Sequence, residues 1–129
     1  MVLIFTDNET LNKDLNKNIE NSRIVYYTNY ILEEKEAERE RVFVLSAFPE
    51  FLVDYFGIKY DFKELMFKVR NKDIRVILLL ENFKVKELNY SLQLGIYDII
   101  FNPFSVDDIK NCIKNPMKFS DISKYIKID

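Results

Sequence analysis

Three residues stand where an apolar run gives out and could do chemistry. They are Asp7 after Val2–Phe5, Ser46 after Val42–Leu45 and Glu81 after Val76–Leu80. Carboxylates at such places can hold a hard cation or a small polar ligand, and a serine can attack a carbonyl or phosphoryl centre. A serine needs a base, however, and the 129 residues contain no histidine. That absence also removes the commonest general base and the usual zinc and haem ligand. The residues alone therefore read as a solvated Asp7, a capping Glu81 and a structural Ser46. The competing reading is a vestigial cation or small-ligand site at Asp7, Ser46 and Glu81. No catalytic residue, resident metal or cofactor is assigned.

Composition excludes further classes. The charge is −2, from 19 basic and 21 acidic residues, so no global field favours nucleic acid or an anionic membrane. Val76–Leu80 is the longest apolar run and is far too short to span a bilayer. The opening VLIF lacks the length and basic flank of a secretory segment. One cysteine, Cys112, excludes an internal disulfide and fits a reducing cytoplasm. It is read as a small buried hydrophobe. Lys110, Lys114, Lys118, Lys124 and Lys127 read as a solvated basic end, not a nucleic-acid site.

The elements that must position these residues follow from periodicity. Strands are expected at Val2–Phe5, Ile24–Tyr27, Val42–Leu45, Val76–Leu80 and Tyr97–Phe101. Asn8 caps a helix whose stripe is Leu11, Leu15 and Ile19. Tyr30–Leu32 can begin a second helix, but Glu33–Arg41 has no apolar stripe and reads as a solvated stretch. Phe48–Tyr60 is an aromatic connection, with a short helical turn opened by Pro49 and ended by Gly57. Asp61 and Glu64 cap a helix carrying Phe62, Leu65, Met66 and Val69. A fourth helix turns Val85, Leu88 and Leu92 inward and is closed by Gly95. Ser105 and Asp108 cap a fifth, with Val106, Ile109 and Ile113 inward, and Phe119, Ile122 and Ile126 suggest a short docked helix. Strands alternating with helices give one α/β domain, a doubly wound five-stranded parallel sheet of order 2-1-3-4-5. The core is expected over about 2–114, with 115–129 a C-terminal extension.

Leu94–Ile109, LGIYDIIFNPFSVDDI, resembles the last strand and helix of a response-regulator receiver, and the resemblance extends over about residues 2–114. It implies the flavodoxin-like, CheY-like three-layer sandwich and a cis Asn102-Pro103 bond. In receivers an Asp after strand three accepts a phosphoryl group, two acids after strand one hold Mg²⁺, and a hydroxyl and a lysine bind the phosphoryl oxygens. Here those places carry Ser46, Thr6-Asp7, Leu80 followed by Glu81, and Asn102 before Pro103. Only Asp7 survives, so the resemblance implies a degenerate pocket. It also places Tyr90, Leu94, Tyr97 and Phe101 on the face receivers use for dimers and partners.

A narrower stretch, Gly95-Ile96-Tyr97-Asp98-Ile99 and Asn115-Pro116, is similar to the receiver-like N-terminal domains of MinD/ParA-like, pilus-assembly type ATPases. With only Gly57 and Gly95 the chain has no phosphate loop, so it is not itself the ATPase. The expectation is a cytoplasmic, non-enzymatic pseudo-receiver: a regulatory protein–protein interaction or dimerisation module, in cis to an ATPase or in trans. The alternatives are a small-ligand-sensing or weakly catalytic flavodoxin-like domain using the strand ends, and a genuine receiver read in the wrong register.

Overall fold

Successive residues of a strand point to opposite faces, and here both faces are apolar. In the computed structural model, Val2 and Ile4 join Leu15, Val44, Ile77, Leu79 and Ile109 in one core, while Leu3 and Phe5 join Phe43, Leu45, Leu65, Met66, Leu78 and Leu80 in the other. The structure describes residues 1–32, 41–46, 53–54, 56–83 and 86–126. The expectations for Glu33–Glu40, Phe48, Pro49, Phe51, Tyr55, Val85 and Lys127 fall outside them.

The strands are β1 (Val2–Phe5), β2 (Ser22–Ile24), β3 (Val42–Ser46), β4 (Arg75–Leu80) and β5 (Asp98–Phe101). All pair in parallel in the order β2-β1-β3-β4-β5, as expected. The helices are α1 (Glu9–Asn18), α2 (Thr28–Leu32), α3 (Phe62–Asn71), α4 (Lys86–Gln93), α5 (Val106–Lys114) and α6 (Phe119–Ile122), the last followed by a 3-10 turn at Ser123–Tyr125. The expected caps are present: Asn8 accepts the Leu11 N–H, Asp61 that of Glu64, and Ser105 and Asp108 form a reciprocal box. Gly95 closes α4 at φ +75°, a conformation that would strain a side chain. The Asn102-Pro103 bond is cis.

One expectation is corrected. The second strand covers Ser22–Ile24, not Ile24–Tyr27. Its partner β1 begins at Val2, opposite Ser22, so the ladder uses the polar residues before the apolar run. The helical turn expected from Pro49 lies outside the described residues, while Gly57 is described. At φ +82° it sits in a tight turn in which the Asp54 N–H donates to Ile58 O at 2.8 Å, beside the antiparallel bridge between Val53 and Lys59. The Asp54 carboxylate holds this turn by accepting the N–H groups of Phe56 (3.0 Å) and Ile58 (2.9 Å).

Candidate functional site

The parallel register brings Asp7, Ser46, Leu80 and Asn102 to one rim at the carboxyl ends of the strands. Phe5 lies across from Leu45, Ser46 from Leu79 and Leu80 from Phe101, and the Asn102 N–H donates to Leu80 O at 2.9 Å. Ser46 is fully buried and is occupied with Asp7. Its hydroxyl accepts the Asp7 N–H at 2.8 Å and donates to Asp7 Oδ1 at 3.3 Å. Thr6 is also buried, and its hydroxyl turns to Asn12 of α1, donating to Oδ1 at 2.5 Å. The Asn12 oxygen also accepts the Thr6 N–H at 3.1 Å. Leu80 is buried and apolar, while Asp7, Glu81, Asn102 and Pro103 are exposed. Among the described residues, no three Asp, Glu or Cys side chains converge as a metal-ligand group.

Tyr60, the last residue of the aromatic connection, packs at this rim. Its ring stands edge-on to Phe5, 6.0 Å between centroids. Burial, then the negative charges of Asp7 and Asp54, push the phenol above its ordinary value of 10.0. Tyr60 therefore stays neutral where it packs on Phe5. The signal available in the sequence was Asp54, an acid in the middle of an aromatic stretch. The connection also presents Phe56, 68% exposed, whose ring lies 6.1 Å from that of Tyr27, 36% exposed, just before α2.

Tyr60→Phe tests the placement. The folded phenol keeps its proton past the unfolded value, so the folded state binds more protons at high pH. Stability is complete below about pH 10 and falls above it. The variant is expected to lose less stability than the parent between about pH 9 and 11 in urea melts. Equal losses would remove Tyr60 from the two carboxylates.

The four residues expected to face a partner are split by the structure. Tyr90 is half-buried against α3: its hydroxyl donates to Lys63 O at 3.0 Å, and the Lys63 ammonium lies 5.5 Å from the ring centroid. It lines a cleft of about 510 Å³ between α3 and α4 with Tyr60, Lys63, Lys86 and Gln93. Leu94 O accepts from Arg70 Nε at 3.1 Å. Tyr97 and Phe101 lie beneath the C-terminal extension, against Phe119 (5.5 Å) and Tyr125 (4.7 Å).

At the opposite end of the sheet is a cluster that periodicity did not reveal. Arg75 Nε donates to Asp98 Oδ2 at 2.7 Å, and Asp98 Oδ1 accepts the Met117 N–H at 2.7 Å. Cys112 Sγ lies 3.4 Å from the same oxygen. Burial, and then Asp98, push the thiol up to about 12, so Cys112 stays protonated and donates its S–H to Asp98 Oδ1. An acid inside the apolar DIIF strand was the available signal.

No protein-family model and no curated protein matches the chain. The solved crystal structure of FixJ-N is similar in fold: TM-score 0.61, over 91% of this chain and 95% of that one, at 18% identity. The chain has the receiver fold. Within it Ser46, the last residue of β3, is paired to Asp7. Among the described residues, no helix is long and apolar enough to cross a membrane.

Proposed function

We propose that this chain is a phosphorylation-independent pseudo-receiver, a regulatory module that works by binding protein, as a dimer or in trans or in cis to an ATPase domain. The observation that carries the reading is the Ser46–Asp7 pair. The place of an acceptor carboxylate holds a buried hydroxyl whose donor and acceptor capacity is taken up by the one remaining acid. Tyr60 stands over Phe5 beside it, and a fully buried Leu80 replaces a phosphoryl-binding hydroxyl. Asn102 supplies no cation for a phosphoryl group. The mechanism is then a fixed surface, with its location in the cytoplasm.

Incubation with acetyl phosphate and Mg²⁺ tests this. Intact mass is expected to stay unchanged, and the Ser46→Asp variant is also expected to stay unmodified, because the lysine and second acid remain absent. A stable gain of about 80 Da on an aspartate of the parent would overturn the reading.

A further inference from the structure

After α5 the chain turns at Pro116 and lays residues 117–126 across the end of β5. Three large side chains make the contact, spaced three apart: Phe119, Ile122 and Tyr125. Phe119 stands edge-on to Tyr97. Ile122 is fully buried and joins the core that includes Leu80 and Ile99. Tyr125 packs on Phe101 at 4.7 Å and on Phe83 at 5.4 Å. Spacing by three suits a segment ending in a 3-10 turn, where every third side chain eclipses.

The attachment is of one kind only. Among the described residues, the hydrogen bonds of 118–126 run within the segment: the Lys118 N–H to Asp121 Oδ2 (2.8 Å), the Asp121 N–H to Lys118 O (2.9 Å), the Ser123 hydroxyl to Ser120 O (3.3 Å) and the Ile126 N–H to Ser123 O (3.0 Å). The link to the body is the Met117 N–H on Asp98, just before the segment. A cleft of about 500 Å³ runs beside it, lined by Ile100, Asn111, Asn115, Asp121 and Lys124. Four helical residues cannot hold themselves together in water, so the segment depends on its three apolar contacts. Phe119, at 50% exposure, and Phe83, at 42%, leave the contact open along one edge.

We propose that the β5 face is a docking groove for a short helical segment with large apolar residues three apart, and that residues 119–125 of this chain occupy it as a displaceable strap. The inference rests on the interaction reading above. Seated, the strap covers Tyr97 and Phe101. Lifted, it uncovers an aromatic groove for a partner segment of the same spacing.

Hydrogen exchange on the full chain decides whether the strap lifts. Amides of 119–126 are expected to exchange about 100-fold faster than those of β4, through an opening that leaves the sheet intact. Equal protection of the two would overturn the proposal. The second measurement uses the full-length Phe119→Ala/Tyr125→Ala variant. It is expected to keep its sheet signal and to bind a hydrophobic dye. A synthetic peptide of residues 115–126 should suppress that binding, and the same peptide with Phe119, Ile122 and Tyr125 replaced by alanine should not. Unchanged dye binding, or equal effects of the two peptides, would also overturn it. If the variant does not fold, exchange in the parent chain decides. Neither measurement needs a partner, so a strap that lifts with no partner found would count against the interaction reading and leave the strap in place.

Discussion

Asp98→Ala is expected to lower the free energy of unfolding by about 3 kcal/mol. The carboxylate holds Arg75 Nε with one oxygen and the Met117 N–H with the other, both at 2.7 Å. The Arg75 and Asp98 side chains are only 22% and 10% exposed. Removing one partner of a buried pair costs about 3–5 kcal/mol because the other charge is left uncompensated. The residual exposure of Arg75, and its remaining donation to Ile113 O and Cys112 O, place the loss at the low end. Arg75→Met with Asp98→Leu is expected to regain most of that stability, since an apolar pair leaves no charge behind. Urea unfolding followed by circular dichroism reads both. A loss under about 0.5 kcal/mol for Asp98→Ala would mean that solvent already screens the pair.

Phe5→Ala should cost about 4 kcal/mol. Phe5 is fully buried at the carboxyl end of β1, with its ring 6.5 Å from Phe43 and 6.0 Å from Tyr60. Truncation leaves a cavity under the rim, and the surrounding strands cannot collapse into it without breaking the ladder. Tyr60 loses its support at the same time. Its phenol is then expected to titrate closer to 10.0, measured by ultraviolet absorbance. Phe5→Leu keeps most of the volume and should cost about 1 kcal/mol. A loss below about 1.5 kcal/mol for Phe5→Ala would show that the rim repacks, and that Phe5 does not hold Tyr60 in place.

The sheet was legible because a strand covered on both faces is an unbroken apolar run, and Val2–Phe5, Val42–Leu45 and Val76–Leu80 are such runs. Helix starts were legible because Asn8, Asp61 and Ser105 each satisfy an N–H two or three residues ahead, a bond decided locally. The ends of the edge strand β2 were not legible. The strand takes its ends from its partner, so Ser22 and Arg23 enter the ladder without apolar character. Ser46, Asp7 and Leu80 could be placed on one rim by counting along strands. That Ser46 would satisfy Asp7, and that Tyr60 would stand beside both, depends on how a connection of more than ten residues packs back over the sheet. Periodicity carries nothing about that. Arg75 and Asp98 stand 23 residues apart on neighbouring strands, and each looks alone like an interruption of an apolar run.

The Ser46–Asp7 hydrogen bond also bears on how the chain folds. It joins residues 39 apart. At the other end of the same strand pair, the Val42 N–H donates to Met1 O at 3.0 Å. Pairing β1 with β3 must therefore close a long loop, at an entropic cost that rises with the logarithm of its length. Until β3 arrives, β1 has only the three-residue β2 as a neighbour. The Ser46 hydroxyl thus fastens the far end of that closure: it is a clasp between the first and third strands, set when the sheet assembles.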